Sequence, residues 1–261
     1  MKLQQIHFAD EYLSNTRHPI SISLIGVGGN GTIALYRLAE INLALLELGK
    51  PGISVTAYDN DKVEEHNLLR QKFSYSDIGE FKSSVVINRI NRLYGFNWEA
   101  VPKLFTQNDK QTNIYIGCTD TIKSRKIIQK NFIRKTYANA VNRPLYYLDI
   151  GNSKDTSQFI LGSKTIKQPQ SNIYKTVDKL NTFIDEFKDL NLLESNESSC
   201  SAYESLARQG LFTNTIVTTH ALNLIWQLFF DKYILYRGGY INSQSGYMKP
   251  VPFNINEKAI C

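Results

Sequence analysis

The segment YDNDKVEEHNLLRQKF at 58–73 gathers carboxylates, an asparagine, an arginine and a glutamine into one short stretch. It follows a glycine-rich run, GVGGNG at 26–31, and precedes a lone lysine, Lys82. A carboxylate such as Asp59 can accept hydrogen bonds from both hydroxyls of a ribose. Arg70 offers a planar fork to phosphate oxygens and Lys82 a compact charge, a pair suited to a polyphosphate and to a pentavalent phosphorus with a departing pyrophosphate. A nicotinamide dinucleotide needs only the acid and gives Arg70, Gln71 and Lys82 no task, so the set points to a nucleoside triphosphate.

In GVGGNG, Gly26, Gly28 and Gly31 hold the first, third and sixth positions. That spacing lets the backbone turn tightly, lets phosphate approach and leaves helix N–H groups to receive it. Gly29 removes one further side chain from the approach. The same pattern also fits a plain tight turn between a strand and a helix. Asp120, in GCTD at 117–120, is a hard oxygen ligand of the kind Mg²⁺ prefers beside phosphates, and it equally fits the N-cap of the helix that follows.

The three cysteines, Cys118, Cys200 and Cys261, include no C-x-x-C pair, so neither a disulfide framework nor a four-cysteine zinc site can be drawn. Cys118 sits at a buried strand end, where a small apolar role fits. Cys200, in SSCS, lies in a polar segment before a helix, a setting that lowers a thiol pKa and allows a nucleophile as well as a bystander. His7, His18, His66 and His220 show no ligand spacing.

These residues need elements to position them. ISISLI at 20–25 alternates into the glycine turn, and Ala34, Leu35, Leu38, Ile41 and Leu45 recur at helical spacing over a helix at 32–48. A strand at 53–58 delivers Asp59, and a long loop at 60–76 is expected to carry ligand. A helix at 77–94 then brings Lys82 back over the phosphate turn. Strands at 98–101, 113–117 and 145–151 and a basic helix at 122–136 continue the alternation. It predicts an α/β, doubly wound, Rossmann-like and mainly parallel sheet with ligands at the strands' carboxyl ends.

Residues 1–161 read as the nucleotide-binding region and 162–200 as a crossover segment with one amphipathic stretch at 173–193. Residues 201–261 supply a strong helix at 214–233 and strands that complete the same domain. The 30 Lys and Arg against 24 Asp and Glu give +6, but they are scattered, which describes a solvated basic surface better than a nucleic-acid site. No apolar run suits a signal peptide or a membrane span, so a cytoplasmic protein is expected.

GVGGNG, DNDKVEEHNLLRQ, the IGEFK helix start and CTD, in this order, resemble the adenylation domain of the ubiquitin-activating, E1-like enzymes of the ThiF type. More narrowly, the layout with LDIGNSKDTSQFILG, SSCS and the closing helix is similar to the ThiF-related proteins of the bacterial ParB-related, ThiF-related (PRTRC) cassette. The resemblance implies ATP and Mg²⁺ as cofactors. Asp59 would take the ribose, Asn67, Arg70, Gln71 and Lys82 would surround the triphosphate, and Asp120 would bind Mg²⁺. The implied reaction joins the C-terminal carboxylate of a β-grasp, ubiquitin-like or sulfur-carrier protein to AMP, releasing pyrophosphate. Cys200 stands where eukaryotic relatives carry a thioester cysteine.

The zinc-binding cysteine pairs of many bacterial relatives are missing, so no zinc is expected. Many relatives are homodimers in which one subunit lends an arginine to the other; Arg17 is the nearest candidate, without a matching motif. Two other function classes remain open. An NAD(P)-dependent oxidoreductase would use the turn and Asp59, and a nucleotide-binding scaffold would bind without turnover. A DNA-associated role has no recognition motif behind it.

Overall fold

The computed structural model describes residues 3–68, 71–136, 141–153, 155–187 and 210–253. The chain runs β1 (Gln5–Phe8), α1 (Tyr12–Asn15), β2 (Ile20–Ile25), α2 (Gly29–Glu47), β3 (Ile53–Tyr58), α3 (Lys82–Tyr94) and β4 (Glu99–Val101). It continues β5 (Ile114–Gly117), α4 (Ile122–Ile133), β6 (Tyr146–Asn152), β7 (Thr156–Ser163), β8 (Lys175–Thr176) and α5 (Phe183–Glu186). After 210 come α6 (Thr213–Phe230), β9 (Tyr233–Ile234), β10 (Gly238–Asn242) and β11 (Tyr247–Val251).

Eight strands form one sheet in the order β11-β10-β7-β6-β5-β2-β3-β4. From β6 to β4 every neighbouring pair is parallel, while β7, β10 and β11 add antiparallel strands. The fold is the mainly parallel, Rossmann-like α/β sheet that the alternation predicts. Its strands are apolar on both faces because helices cover both. Leu24, Ile116 and Leu148 pack with Leu35, Ile87 and Leu224 on one side. Tyr115 and Tyr147 meet Ile128 and Phe132 of α4 on the other. Strand order reverses at β2, with β3 on one side and β5 on the other, so the carboxyl ends there open a crevice.

A second sheet, β8-β1-β9, is one the sequence does not announce, because its strands are only two to four residues long. Buried His7 anchors it, with Nδ1 2.6 Å from the Val177 carbonyl oxygen and Nε2 3.1 Å from the Tyr146 hydroxyl.

Three helices differ from expectation for local reasons. The helix expected from 77 starts at Lys82 instead. Ser74 and Asp77 close a capping box around a 3-10 turn at Tyr75–Asp77, and Gly79, with φ +90°, breaks the path between. The helix expected to 136 stops at Ile133, where Arg134 turns extended and donates to the Gln107 and Asp109 carbonyls. In place of one amphipathic stretch from 173, the described part to 187 holds β8 and α5, the latter opened by a Thr182–Asp185 capping box. The helix expected over 214–233 runs Thr213–Phe230.

Candidate functional site

β2 enters the glycine turn at Gly26, whose φ of +92° and whose approach to β5 both demand glycine: a Cβ would lie 2.6 Å from the Cys118 carbonyl oxygen. A Cβ on Gly31 would overlap the Gly26 carbonyl, so this glycine lets α2 seat on the turn. Gly28, the residue before α2, has open space where a side chain would be. The turn therefore shows bare backbone and the N-terminus of a 19-residue helix to the crevice, an arrangement that attracts anions.

The crevice is a cleft of about 520 Å³ lined by Gly26, Gly28, Gly29, Asp59, Asp61, Gln71, Lys82 and Asp120, with Asn30, Asn152 and Asn214 in its wall. Asp59 leaves β3 with Oδ2 accepting from the Val27 N–H at 2.5 Å and Oδ1 from the Asp61 N–H at 2.7 Å. Those bonds fix the carboxylate against the glycine turn. Burial pushes its pKa up, and the two N–H donors pull in the other direction. The Ser83 hydroxyl donates to the Asp59 carbonyl at 3.0 Å, tying the start of α3 to the end of β3. Lys82, only 7% exposed, thereby reaches the cleft, its Nζ 3.3 Å from Asp61 Oδ2.

Two buried polar atoms of lining residues, Gln71 Oε1 and Thr119 Oγ1, have no hydrogen-bond partner among the described residues. Unsatisfied buried groups of this kind carry a desolvation cost. The carboxylates of Asp59, Asp61 and Asp120 supply the hard oxygens that suit Mg²⁺. Among the described residues no three His, Cys, Asp or Glu side chains gather into a metal cluster; beside phosphates Mg²⁺ generally keeps several waters and takes one or two carboxylates.

The remaining predicted residues divide. Asp120 is exposed at the cleft, and the helix-capping part that the sequence offers it falls to Thr121, whose Oγ1 accepts from the Ser124 N–H at 3.1 Å. Asn67 is not among the lining residues; its Oδ1 accepts from the Glu64 N–H at 2.9 Å and closes a 3-10 turn at Glu65–Asn67. Arg70 and Cys200 lie outside the described residues. Cys118 is buried, and burial pushes its thiol pKa up, as packing rather than reactivity requires.

Sequence reasoning missed a buried ion pair directly behind Asp120. Arg125 of α4 puts Nη1 3.0 Å from Asp149 Oδ1 of β6, while Nε and Nη2 donate to the Thr119 carbonyl at 3.3 and 3.2 Å. Tyr147 donates to Asp149 Oδ2 at 3.0 Å. Burial raises the Asp149 pKa and Arg125 opposes the rise. The pair braces the loop that presents Asp120. Its one trace in the sequence is an aspartate inside the apolar run LYYLDIG.

Fold and cleft together define a nucleotide-binding α/β domain with its ligand edge at the sheet's switch point. The chain belongs to the ThiF family, whose family model matches residues 4–138. No curated protein matches it. Among solved structures it is similar in fold to E. coli MccB, at 18% identity over 95% of this chain and 65% of that one, with a TM-score of 0.60. A structure of E. coli MccB with ATP aligns at 17% identity over 95% of this chain and 67% of that one, TM-score 0.59. PaaA aligns at 13% identity over 90% of this chain and 64% of that one, TM-score 0.57. The chain thus spans about two thirds of the length of these proteins. Among the described residues, no helix is long and apolar enough to cross a membrane.

Proposed function

We propose that this protein is an E1-like adenylyltransferase that activates the C-terminal carboxylate of a protein or peptide with ATP, and that it does so as a single domain. The observation that carries the reading is the convergence, in one cleft, of bare glycine backbone, a ribose-type carboxylate at Asp59, a buried lysine at Lys82 and an exposed carboxylate at Asp120. The match to the ThiF family over residues 4–138 supports it. So do the fold neighbours, since MccB has been solved with ATP and with AMPCPP and MccA. A dinucleotide would use Asp59 and the turn but would leave Lys82 unemployed.

In this reading Asp59 accepts from the ribose hydroxyls, the α2 N-terminus and Lys82 hold the phosphates, and Gln71 completes the surroundings of the triphosphate. Arg70 supplies the second cation. Asp120 would hold Mg²⁺, which neutralises phosphate charge when bound. The tail carboxylate oxygen attacks the α-phosphorus, the bond to the bridging oxygen breaks, and pyrophosphate leaves with that electron pair. Charge builds on the phosphoryl oxygens during the attack, and the fixed cation and helix dipole stabilise it there.

The finer assignments are that the tail belongs to a β-grasp, ubiquitin-like or sulfur-carrier protein, that the enzyme is a cytoplasmic homodimer, and that it is of the PRTRC type. We further propose that the Cys200 thiolate attacks the acyl adenylate, forming a thioester and expelling AMP. A carrier adduct released by hydroxylamine and missing from Cys200→Ser would support that step.

The test is incorporation of labelled pyrophosphate into ATP, with soluble extract of the producing cell as the source of tails. Exchange that disappears when the extract has been trimmed by carboxypeptidase, later inactivated, is the expected result. Exchange indifferent to trimming would overturn the reading.

A further inference from the structure

The back wall of the cleft carries a directed chain of amides that no nucleotide-binding assignment uses. The Thr218 hydroxyl donates to Asn30 Oδ1 at 3.4 Å, Asn30 Nδ2 to Asn152 Oδ1 at 2.8 Å, and Asn152 Nδ2 to Asn214 Oδ1 at 2.8 Å. All three asparagines line the cleft, and Asn30 and Asn214 are 8% and 4% exposed. Each amide spends its oxygen on the preceding donor and its nitrogen on the following acceptor. The polarity therefore runs one way and ends in a donor, Asn214 Nδ2, which meets no acceptor among the described residues.

That terminal donor points at the glycine turn. A Cβ built on Gly29 would collide with Asn214 Nδ2 before any other atom, so the amide presses directly against the backbone over which phosphates would pass. Asn214 is also the second residue of α6, whose 18 residues place a positive dipole end at the same point. Asn214 is 4% exposed with its oxygen satisfied, which leaves Nδ2 as the group of this amide that a cleft ligand can engage, and a negatively charged acceptor gives the stronger bond. Asn30 comes from α2, Asn152 from β6 and Asn214 from α6, so the chain also pins α6 to the glycine turn.

We propose that Asn214 is a nucleotide-binding residue. Its Nδ2 donates to a phosphate oxygen held over Gly28 and Gly29, and Asn30 and Asn152 are positioning residues that fix the direction of that donor. This rests on the reading of the cleft as an ATP site and adds to it a donor from the C-terminal helix α6.

The experiment is calorimetric titration of adenosine, AMP and Mg-ATP into wild-type protein and into Asn214→Ala, Asn214→Asp and Asn152→Ala. Loss of one hydrogen bond to a charged group predicts AMP and ATP weakened about tenfold in Asn214→Ala. A larger loss is expected in Asn214→Asp, where a carboxylate would face the phosphate, and a smaller one in Asn152→Ala. Adenosine, which has no phosphate, binds all four proteins alike. Equal weakening of adenosine would reduce the amides to a structural brace and overturn the proposal, as would unchanged AMP and ATP binding in Asn214→Ala. Failure of wild-type protein to bind either phosphate ligand would sink the ATP reading itself along with it.

Discussion

At the scale of single residues, the cleft works through groups whose options have been removed. Lys82 is buried at the first position of α3, and its partner among the described residues, Asp61, has a largely exposed side chain, so its charge is available to a ligand. Lys82→Ala is expected to raise the Kd for Mg-ATP by about ten- to a hundredfold, measured by calorimetry, since a charge-assisted contact contributes about 1.5–3 kcal/mol. Asp59 makes a pH-dependent prediction. Its carboxyl is raised by burial above the ordinary 3.8, and only the ionised form accepts from both ribose hydroxyls. Nucleotide affinity should therefore begin to fall above that ordinary value as pH drops, and Asp59→Asn should start weaker and lose the dependence. A wild-type affinity flat with pH down to about 4 would contradict this role.

At the scale of elements, two buried contacts decide how the site is held. Arg125→Ala leaves Asp149 buried without its cation, and breaking a buried pair on one side costs about 3–5 kcal/mol. Denaturant unfolding checks this, and a loss below about 1 kcal/mol would mean that the pair bears no such strain. His7 ties β1 to β6 through Tyr146. Burial lowers its pKa from 6.5, against the raising effects of the Val177 carbonyl, Asp178 and Asp10, so the folded state holds the ring neutral. Below about 6.5 the unfolded chain binds a proton that the folded one refuses, and stability should fall as pH falls through that range. His7→Gln should flatten the slope there.

The same scale shows what the sequence could reveal. β2, α2 and β3 follow from period-2 and period-3.6 patterns, and their ends deliver Gly26 and Asp59 to the ligand edge by chain order alone. Lys82 reaches the cleft even though its helix starts five residues later than the pattern suggests, because Ser83 fastens that start to β3. What stayed hidden depends on partners far apart in the chain. Asn30, Asn152 and Asn214 are unremarkable polar residues until the sheet sets them side by side, and Arg125 is one cation in a basic helix until it meets Asp149. Asn67, chosen for its place in a motif, has its carbonyl oxygen taken by a local turn.

For the whole molecule, one continuous sheet carries both the parallel half that builds the cleft and the antiparallel strands β7, β10 and β11 that follow it. α6 packs across α2, β6 and β7, so the C-terminal part backs the nucleotide site directly. The prediction at this scale is that nucleotide binding and folding are coupled. Saturating Mg-ATP, at about a hundred times its Kd, should stabilise the whole domain by about 2.7 kcal/mol in a single unfolding transition. NADH at the same concentration should leave the transition where it was.

The most direct test of the central claim is a calorimetric titration of wild-type protein with Mg-ATP and, separately, with NADH. Micromolar binding of Mg-ATP, weakened in Lys82→Ala and Asp120→Ala and accompanied by no NADH binding, is the predicted result. Binding of NADH without ATP would contradict the account and make the cleft a dinucleotide site.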